Sequence, residues 1–125
     1  MIYIRILRGT DGVDITAVGH AGQGPRGQDI VCAGVSALLY GFVAYLESLS
    51  PSATVGEDGG EPHLTCSEGD GRLRVTTRGL GGADLQGLAV TEAGLRLIAA
   101  AYPANVILCA PSTNRCCPTT AITER

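Results

Sequence analysis

The sequence contains no lysine and no excess of positive charge. Its 125 residues include nine arginines against twelve acidic residues, which gives a net charge of −3 at pH 7. A phosphate-binding loop of the GxxxxGK[ST] type needs a lysine, so that class of nucleotide site is excluded. Nucleic-acid-binding domains carry a basic surface, and the overall charge gives no sign of one. We therefore expect no direct contact with nucleic acid.

Charged residues are also sparse. Only 17% of the residues are charged and 45% are hydrophobic, which indicates a folded domain and not a disordered chain. Arg5 and Arg8 interrupt the N-terminal apolar residues, which therefore do not form the core of a signal peptide. The apolar run from Ile30 to Leu46 has 17 residues, fewer than the roughly 20 that a membrane-spanning helix needs. We expect a cytoplasmic protein with a buried helix at this position and no membrane contact.

The cysteines give no sign of a disulfide framework. They are odd in number and unevenly spaced: Cys32, Cys66, Cys109, Cys116 and Cys117. In the reducing environment expected for this chain, all five are predicted to be free thiols. The last three lie close together in the sequence, so a redox-active or metal-sensing thiol protein is one alternative function.

A metal site at His63 and Cys66 is a weaker alternative. The two residues are three positions apart, which places their side chains on opposite faces of a strand. Structural zinc sites also need four ligands in paired spacing. We therefore expect neither a metal ion nor a cofactor.

Apolar periodicity predicts seven elements in the order ββαββαβ. The predicted strands and helices cover residues 1–8, 13–20, 30–49, 62–66, 72–78, 83–102 and 106–110, of which 30–49 and 83–102 are helical. Two long helices on a mixed or antiparallel sheet of about five strands form a two-layer α/β (α+β) sandwich. We expect one domain over residues 1–110 and a flexible C-terminal tail over residues 111–125.

A glycine-rich segment separates His20 from Cys32. Asp29 is predicted to be the N-cap of the first helix, which places Cys32 in the first helical turn. The helix dipole there favours a thiolate, and free backbone N–H groups could hold a developing oxyanion. His20, at the end of a strand, could take the thiol proton and pass it to a leaving amine. The simpler interpretation is that Cys32 only packs in the core.

Further polar residues share the helix face of Cys32. Asp29 and Ser36 lie three positions before and four after it, although a cap and an ordinary backbone-bonded serine are the simpler interpretations. The sequence does not decide which residue would be the third member of a catalytic group, because Asp14 and Asp29 could each orient His20.

Four glycines lie near His20 in the sequence. Gly19 allows the chain to turn, or to approach another segment closely, immediately before His20. Gly22, Gly24 and Gly27 indicate a loop between the strand and the helix that can move over a bound substrate.

The motifs Gly19-His20-Ala21 and Asp29-Ile30-Val31-Cys32-Ala33, with Gly27 between them and Val35-Ser36-Ala37-Leu38 after them, resemble the signature of the ribosomal-processing cysteine protease (Prp) family. The resemblance implies a small cytosolic bacterial endopeptidase, usually homodimeric. Its implied reaction is removal of a short N-terminal extension from large-subunit ribosomal protein number twenty-seven. Cys32 would be the nucleophile and His20 the base. Gly34 departs from the family pattern, in which a second alanine is commoner.

The region around His20 and Cys32 could also bind a peptide in a protein that is not an enzyme. A non-catalytic module could bind the basic N-terminal segment of a ribosomal protein, because the net charge of −3 is complementary to it. Cleavage of the segment would distinguish the protease from the binding module.

Overall fold

In a computed structural model, seven elements follow one another in the predicted order. The structure describes residues 1–9, 12–22, 24, 28–49, 64–69, 71–79 and 82–111. The elements are β1 (Ile2–Arg8), β2 (Gly12–Gly19), α1 (Ile30–Leu49), β3 (Leu64–Gly69), β4 (Arg72–Arg78), α2 (Gly82–Ala101) and β5 (Val106–Cys109). The tail predicted for residues 111–125 lies outside the described residues from residue 112 onward.

The five strands form one mixed sheet in the order β3-β4-β2-β1-β5. β1 pairs with β5 in parallel, and the other neighbours are antiparallel. Ile2, Ile4 and Ile6 are buried on one face, as the alternating pattern of β1 predicts. The register of β1 on β2 places Gly19 opposite Ile2, so the residue before His20 lies next to the N-terminus. The predicted two-layer fold class is confirmed.

Both helices contribute to the core. α1 buries one apolar stripe, made of Val31, Val35, Leu39, Phe42, Val43 and Leu46. α2 adds Leu88 and Leu95, which are 1% and 0% exposed. By length and composition alone α1 could cross a membrane. Its buried side chains nevertheless belong to the same apolar cluster as those of the strands, which is the arrangement of a core helix.

β3 lies further along the chain than its prediction at residues 62–66. It runs to Gly69 and is joined to β4 by residues 70 and 71 alone. An Asp-Gly pair is a favoured two-residue hairpin turn, and the φ of Gly71 is +68°. The predicted turn of five residues, 67–71, is therefore too long, because an Asp-Gly pair favours a turn of two residues. The short hairpin brings Gly71 to the end of β2, where its carbonyl accepts a hydrogen bond of 2.7 Å from Gly19 N.

The prediction of five free thiols is wrong for Cys109. Cys109 is disulfide-bonded, whereas Cys32 is free. A cysteine count carries no information about which sulfurs the fold brings together, which is why the prediction failed. His63, the Cys66 side chain and the tail cysteines lie outside the described residues. Within the described ranges, no group of three or more His, Cys, Asp or Glu could hold a metal ion.

Candidate active site

Asp29 is the N-cap of α1. The residue is 7% exposed, and its Oδ1 accepts hydrogen bonds from Val31 N at 2.9 Å and Cys32 N at 3.0 Å. The carbonyl of Asp29 also accepts the first helical hydrogen bond, from Ala33 N at 3.0 Å. These contacts satisfy amides that a helix start otherwise leaves without partners, and they fix Cys32 at the third helical position.

The cap changes one expectation about the chemistry of this turn. The amides of Val31 and Cys32 are bonded to Asp29, so they are not the free donors that the sequence indicated for an oxyanion. A capping carboxylate and a bound oxyanion compete for the same N–H groups, and the sequence pattern alone does not reveal that competition.

The sulfur of Cys32 has a donor from outside the helix. Cys32 is half-buried, and Ala21 N donates a hydrogen bond of 3.3 Å to its Sγ. This contact fixes the sulfur relative to the residue that follows His20. The carbonyl of Ala21 in turn accepts a hydrogen bond of 2.7 Å from Asn105 Nδ2. Sequence reasoning missed Asn105, because no pattern links residues that are 84 positions apart.

His20 follows β2 directly and is exposed. The chain reaches it through Gly19, whose φ is +103°. A Cβ on Gly19 would lie 2.1 Å from the carbonyl oxygen of Met1, so only glycine fits here. The amino group of Met1 donates a hydrogen bond to the carbonyl of His20, which ties the histidine backbone to the start of β1.

The imidazole of His20 packs against Gly71. A Cβ on Gly71 would lie 3.0 Å from His20 Nε2, so the absence of a side chain makes room for the ring. No local sequence pattern indicates this contact, because Gly71 and His20 lie in different strand pairs of the chain. Within the described part of the chain, no hydrogen bond joins His20 to Cys32. Catalytic hydrogen bonds are often long in unliganded enzymes and shorten when substrate binds.

Two adjoining clefts share His20, Cys32 and Ser36. The first has a volume of about 200 Å³ and an apolar lining that includes Ile2, Ala17, Val35, Leu39 and Leu73. The second has a volume of about 390 Å³ and is also lined by Gly22, Gly24, Asp29 and Ala33. The structure therefore places the sequence-predicted residues His20, Asp29, Cys32 and Ser36 around one depression.

Ser36 is an exposed residue one helical turn after Cys32. Among the described contacts, its hydroxyl has no hydrogen bond to its own helix, unlike the bonded serine of the simpler interpretation. The predicted loop glycines are only partly described. Gly22 and Gly24 are exposed and line the second cleft, whereas Gly27 lies outside the described residues.

Asp14 is not placed to orient His20. Its two carboxylate oxygens accept hydrogen bonds of 3.2 and 2.8 Å from Arg74 across β2 and β4. This hydrogen bond and the charge of Asp14 raise the pKa of the exposed Arg74 side chain. Asp14 lines neither cleft, so of the two aspartates that the sequence left open only Asp29 borders the site.

Comparison with known proteins agrees with the sequence motifs and the fold. The model of the family described as "Cysteine protease Prp" matches residues 1–107. The chain belongs to this family. Two similar relatives are named Ribosomal processing cysteine protease Prp. The one from Staphylococcus aureus (strain Mu50) is 38% identical over 69 residues, and the one from Bacillus subtilis (strain 168) is 40% identical over 65 residues.

The matched regions do not span these relatives completely. They cover 51% of this chain and 65% of the S. aureus protein, and 48% of this chain and 58% of the B. subtilis protein. A similar fold occurs in the crystal structure of the essential ribosomal processing protease Prp from S. aureus with a covalently linked product peptide. That structure has a TM-score of 0.70 at 27% identity, over 89% of this chain and 100% of the crystal chain.

Proposed function

We propose that this protein is a cysteine endopeptidase that removes the short N-terminal extension of large-subunit ribosomal protein number twenty-seven, with Cys32 as nucleophile and His20 as base. The observation that carries the proposal is that both side chains line the same clefts at the start of α1. Membership of a cysteine protease family supports the reaction class, and the names of the relatives support a role in ribosomal processing. The particular ribosomal protein is the one that the resemblance of the motifs implies.

The proposed reaction has two steps. His20 takes the proton of Cys32, and the sulfur attacks the scissile carbonyl carbon to form a C–S bond. The C–N bond then breaks as His20 returns the proton to the leaving amine, which leaves a thioester on Cys32. Water, deprotonated by His20, hydrolyses the thioester and releases the N-terminal fragment as a carboxylic acid.

The clefts suit an extended peptide on either side of the sulfur. The apolar lining of the smaller cleft favours an apolar side chain of the substrate. The larger cleft offers the Ser36 hydroxyl and the exposed backbone near Gly22 and Gly24 as polar contacts for a peptide. No metal or cofactor takes part in the proposed reaction.

The direct test is incubation of the purified protein with the ribosomal protein carrying its extension. We expect wild type to produce one shortened product and one released peptide by mass, and Cys32→Ala and His20→Ala to leave the substrate intact. Asp14→Asn is the matched control, because it removes a carboxylate outside the clefts and should cleave at the wild-type rate. An intact substrate with wild type, although both wild type and Cys32→Ala bind it, would identify a binding module instead.

We also propose that the protein is a cytoplasmic homodimer. Support for a dimer comes from a mostly apolar groove of about 460 Å³ between α1 and α2, lined in part by Phe42, Tyr45 and Val90. Val90 is 71% exposed at this groove, so a second copy seated there would bury its side chain. Sedimentation should give the mass of two chains for wild type and of one chain for Val90→Arg. A sedimentation mass of one chain for wild type would refute the dimer. Cell fractionation tests the cytoplasmic location.

A further inference from the structure

We propose that Asn105 is a positioning residue that holds the amide of Ala21 against the Cys32 sulfur; its effect on catalysis rests on the proposed protease function. Asn105 immediately precedes β5 and lies far from Cys32 in the sequence. Its Nδ2 donates a hydrogen bond of 2.7 Å to the carbonyl of Ala21. The N–H of the same alanine donates a hydrogen bond of 3.3 Å to Cys32 Sγ.

Asn105 is itself held at both of its backbone polar groups. Its N–H donates a hydrogen bond of 2.9 Å to the carbonyl of Tyr102, and its carbonyl accepts one of 2.8 Å from Ile2 N. Ile2 pairs with Gly19 in the sheet, so the same part of β1 contacts both Asn105 and the residue before His20. The asparagine side chain therefore extends from a rigid point between α2 and the sheet.

Ala21 needs such a contact because of its place in the chain. It lies between the end of β2 and the cap at Asp29, in a segment that includes Gly22 and Gly24. Glycines increase the conformational freedom of a segment, and that freedom must be lost when one amide is kept aimed at one sulfur. Ala21 is only 2% exposed although His20 and Gly22 beside it are exposed. The Asn105 hydrogen bond fixes the segment at its buried residue.

The expected chemical effect is on the position of the sulfur. An attacking sulfur must be aligned with the scissile carbonyl carbon, so a contact that holds it in one place favours the reaction. Without Asn105, the Ala21 amide samples other directions, and the sulfur is no longer held in one place. Asn105 lines neither cleft, so binding of the substrate is expected to be unchanged.

The test compares Asn105→Ala and Asn105→Asp with wild type. The aspartate has the same shape and a similar turn preference, but its ionised carboxylate has no proton to donate to Ala21. Thr77→Val is the matched control, because it removes another buried side-chain hydrogen bond, of 3.2 Å from Val13 N, away from the clefts. The readouts are the rate of Cys32 alkylation by iodoacetamide at neutral pH, followed by peptide mass mapping, and kcat and KM for cleavage.

Both Asn105 variants should slow the alkylation of Cys32 and lower kcat about tenfold, as expected when a reacting group is misplaced, with KM unchanged. Thr77→Val should lower the melting temperature without changing the alkylation rate or kcat. A wild-type alkylation rate and kcat in Asn105→Asp would overturn the proposal and make Asn105 only a turn residue. An equal loss of alkylation rate in Thr77→Val would overturn it as well, because the effect would then reflect general stability.

Two features keep this test separate from the proposed function. Alkylation needs no substrate, so failure of wild type to cleave the ribosomal protein would refute the protease reaction and leave the Asn105 comparison in force. Hydrogen exchange of the Ala21 amide in wild type covers the case in which the variants do not fold. Protection comparable to that of amides in β2 supports the proposal, and exchange at the rate of an unstructured peptide contradicts it.

Discussion

The cleft at the start of α1 and the contact between α2 and β1 use polar groups in opposite ways. At the contact between α2 and β1, Arg8 and Arg96 both donate hydrogen bonds to the carboxylate of Glu92, so three charged side chains satisfy one another. At the cleft, the Asp29 carboxylate, backbone groups and glycines position His20 and Cys32, and both side chains line the clefts. Mutually paired charges stabilise the fold, whereas side chains held through their backbone remain available to a substrate.

The largest effect is expected where the backbone approach at the cleft is closest. Gly19→Ala places a Cβ 2.1 Å from the Met1 carbonyl at a φ of +103°, so the sheet must separate there. We expect a loss of about 3 kcal/mol or more in the free energy of unfolding, measured in urea, and loss of cleavage. Gly82→Ala is the control, since its Cβ meets nothing within 4 Å. Wild-type stability in Gly19→Ala would show that this approach is not required.

A smaller and more selective effect is expected at Gly71. Gly71→Ala adds a Cβ 3.0 Å from His20 Nε2, so the imidazole must shift by a few tenths of an ångström away from its position beside the cleft. Gly79→Ala is the control, because the φ of Gly79 is +66°, close to the +68° of Gly71, at the other end of β4. Both variants should lose about 1–2 kcal/mol of stability from the left-handed backbone, but only Gly71→Ala should lower kcat, about tenfold or more. Equal kcat values in the two variants would argue against His20 as the base.

The charged contact between α2 and β1 should respond to pH and leave catalysis unchanged. Burial would raise the pKa of Glu92, but hydrogen bonds from Arg8 and Arg96 and their charges hold it below its usual value. A lowered folded pKa means that the contact stabilises the protein at neutral pH. This stability is lost as the pH falls below about 5 and through the folded pKa.

The measurement for Glu92 is the melting temperature of wild type and Glu92→Gln between pH 3 and pH 7. We expect wild type to melt higher at pH 7 and the difference to shrink as the pH falls, with equal cleavage at pH 7. A difference that is constant over this range would mean that the charge of Glu92 contributes nothing.

The smallest effect is expected on the open face of the sheet. Asp14 and Arg74 form an exposed pair, and such pairs contribute little to stability. Asp14→Asn should melt close to the wild-type temperature and keep the wild-type pH profile of cleavage. A changed pH profile would make Asp14 an orienter of His20 after all, so that a charged pair outside the cleft would also contribute to catalysis.

The sequence predicts the elements of this fold better than the contacts between them. Alternation and helical periodicity locate α1 and β1 because each depends on local burial alone. The N-cap at Asp29 is also a local signal. Asn105 and Gly71 reach the site through long-range contacts, so no local pattern indicates them. The oxyanion hypothesis is narrowed for a related reason: spacing shows which amides lie in the first turn, but not that Asp29 accepts from those of Val31 and Cys32.

The most direct test of the central claim is the mass of a covalent intermediate. Wild-type protein is mixed with a peptide spanning the extension junction, quenched in acid and digested for peptide mapping. We expect an adduct on Cys32 whose mass is that of the N-terminal fragment less one water, and no adduct in Cys32→Ala. An adduct on another cysteine, or cleavage by Cys32→Ala, would contradict the assignment of Cys32 as the nucleophile.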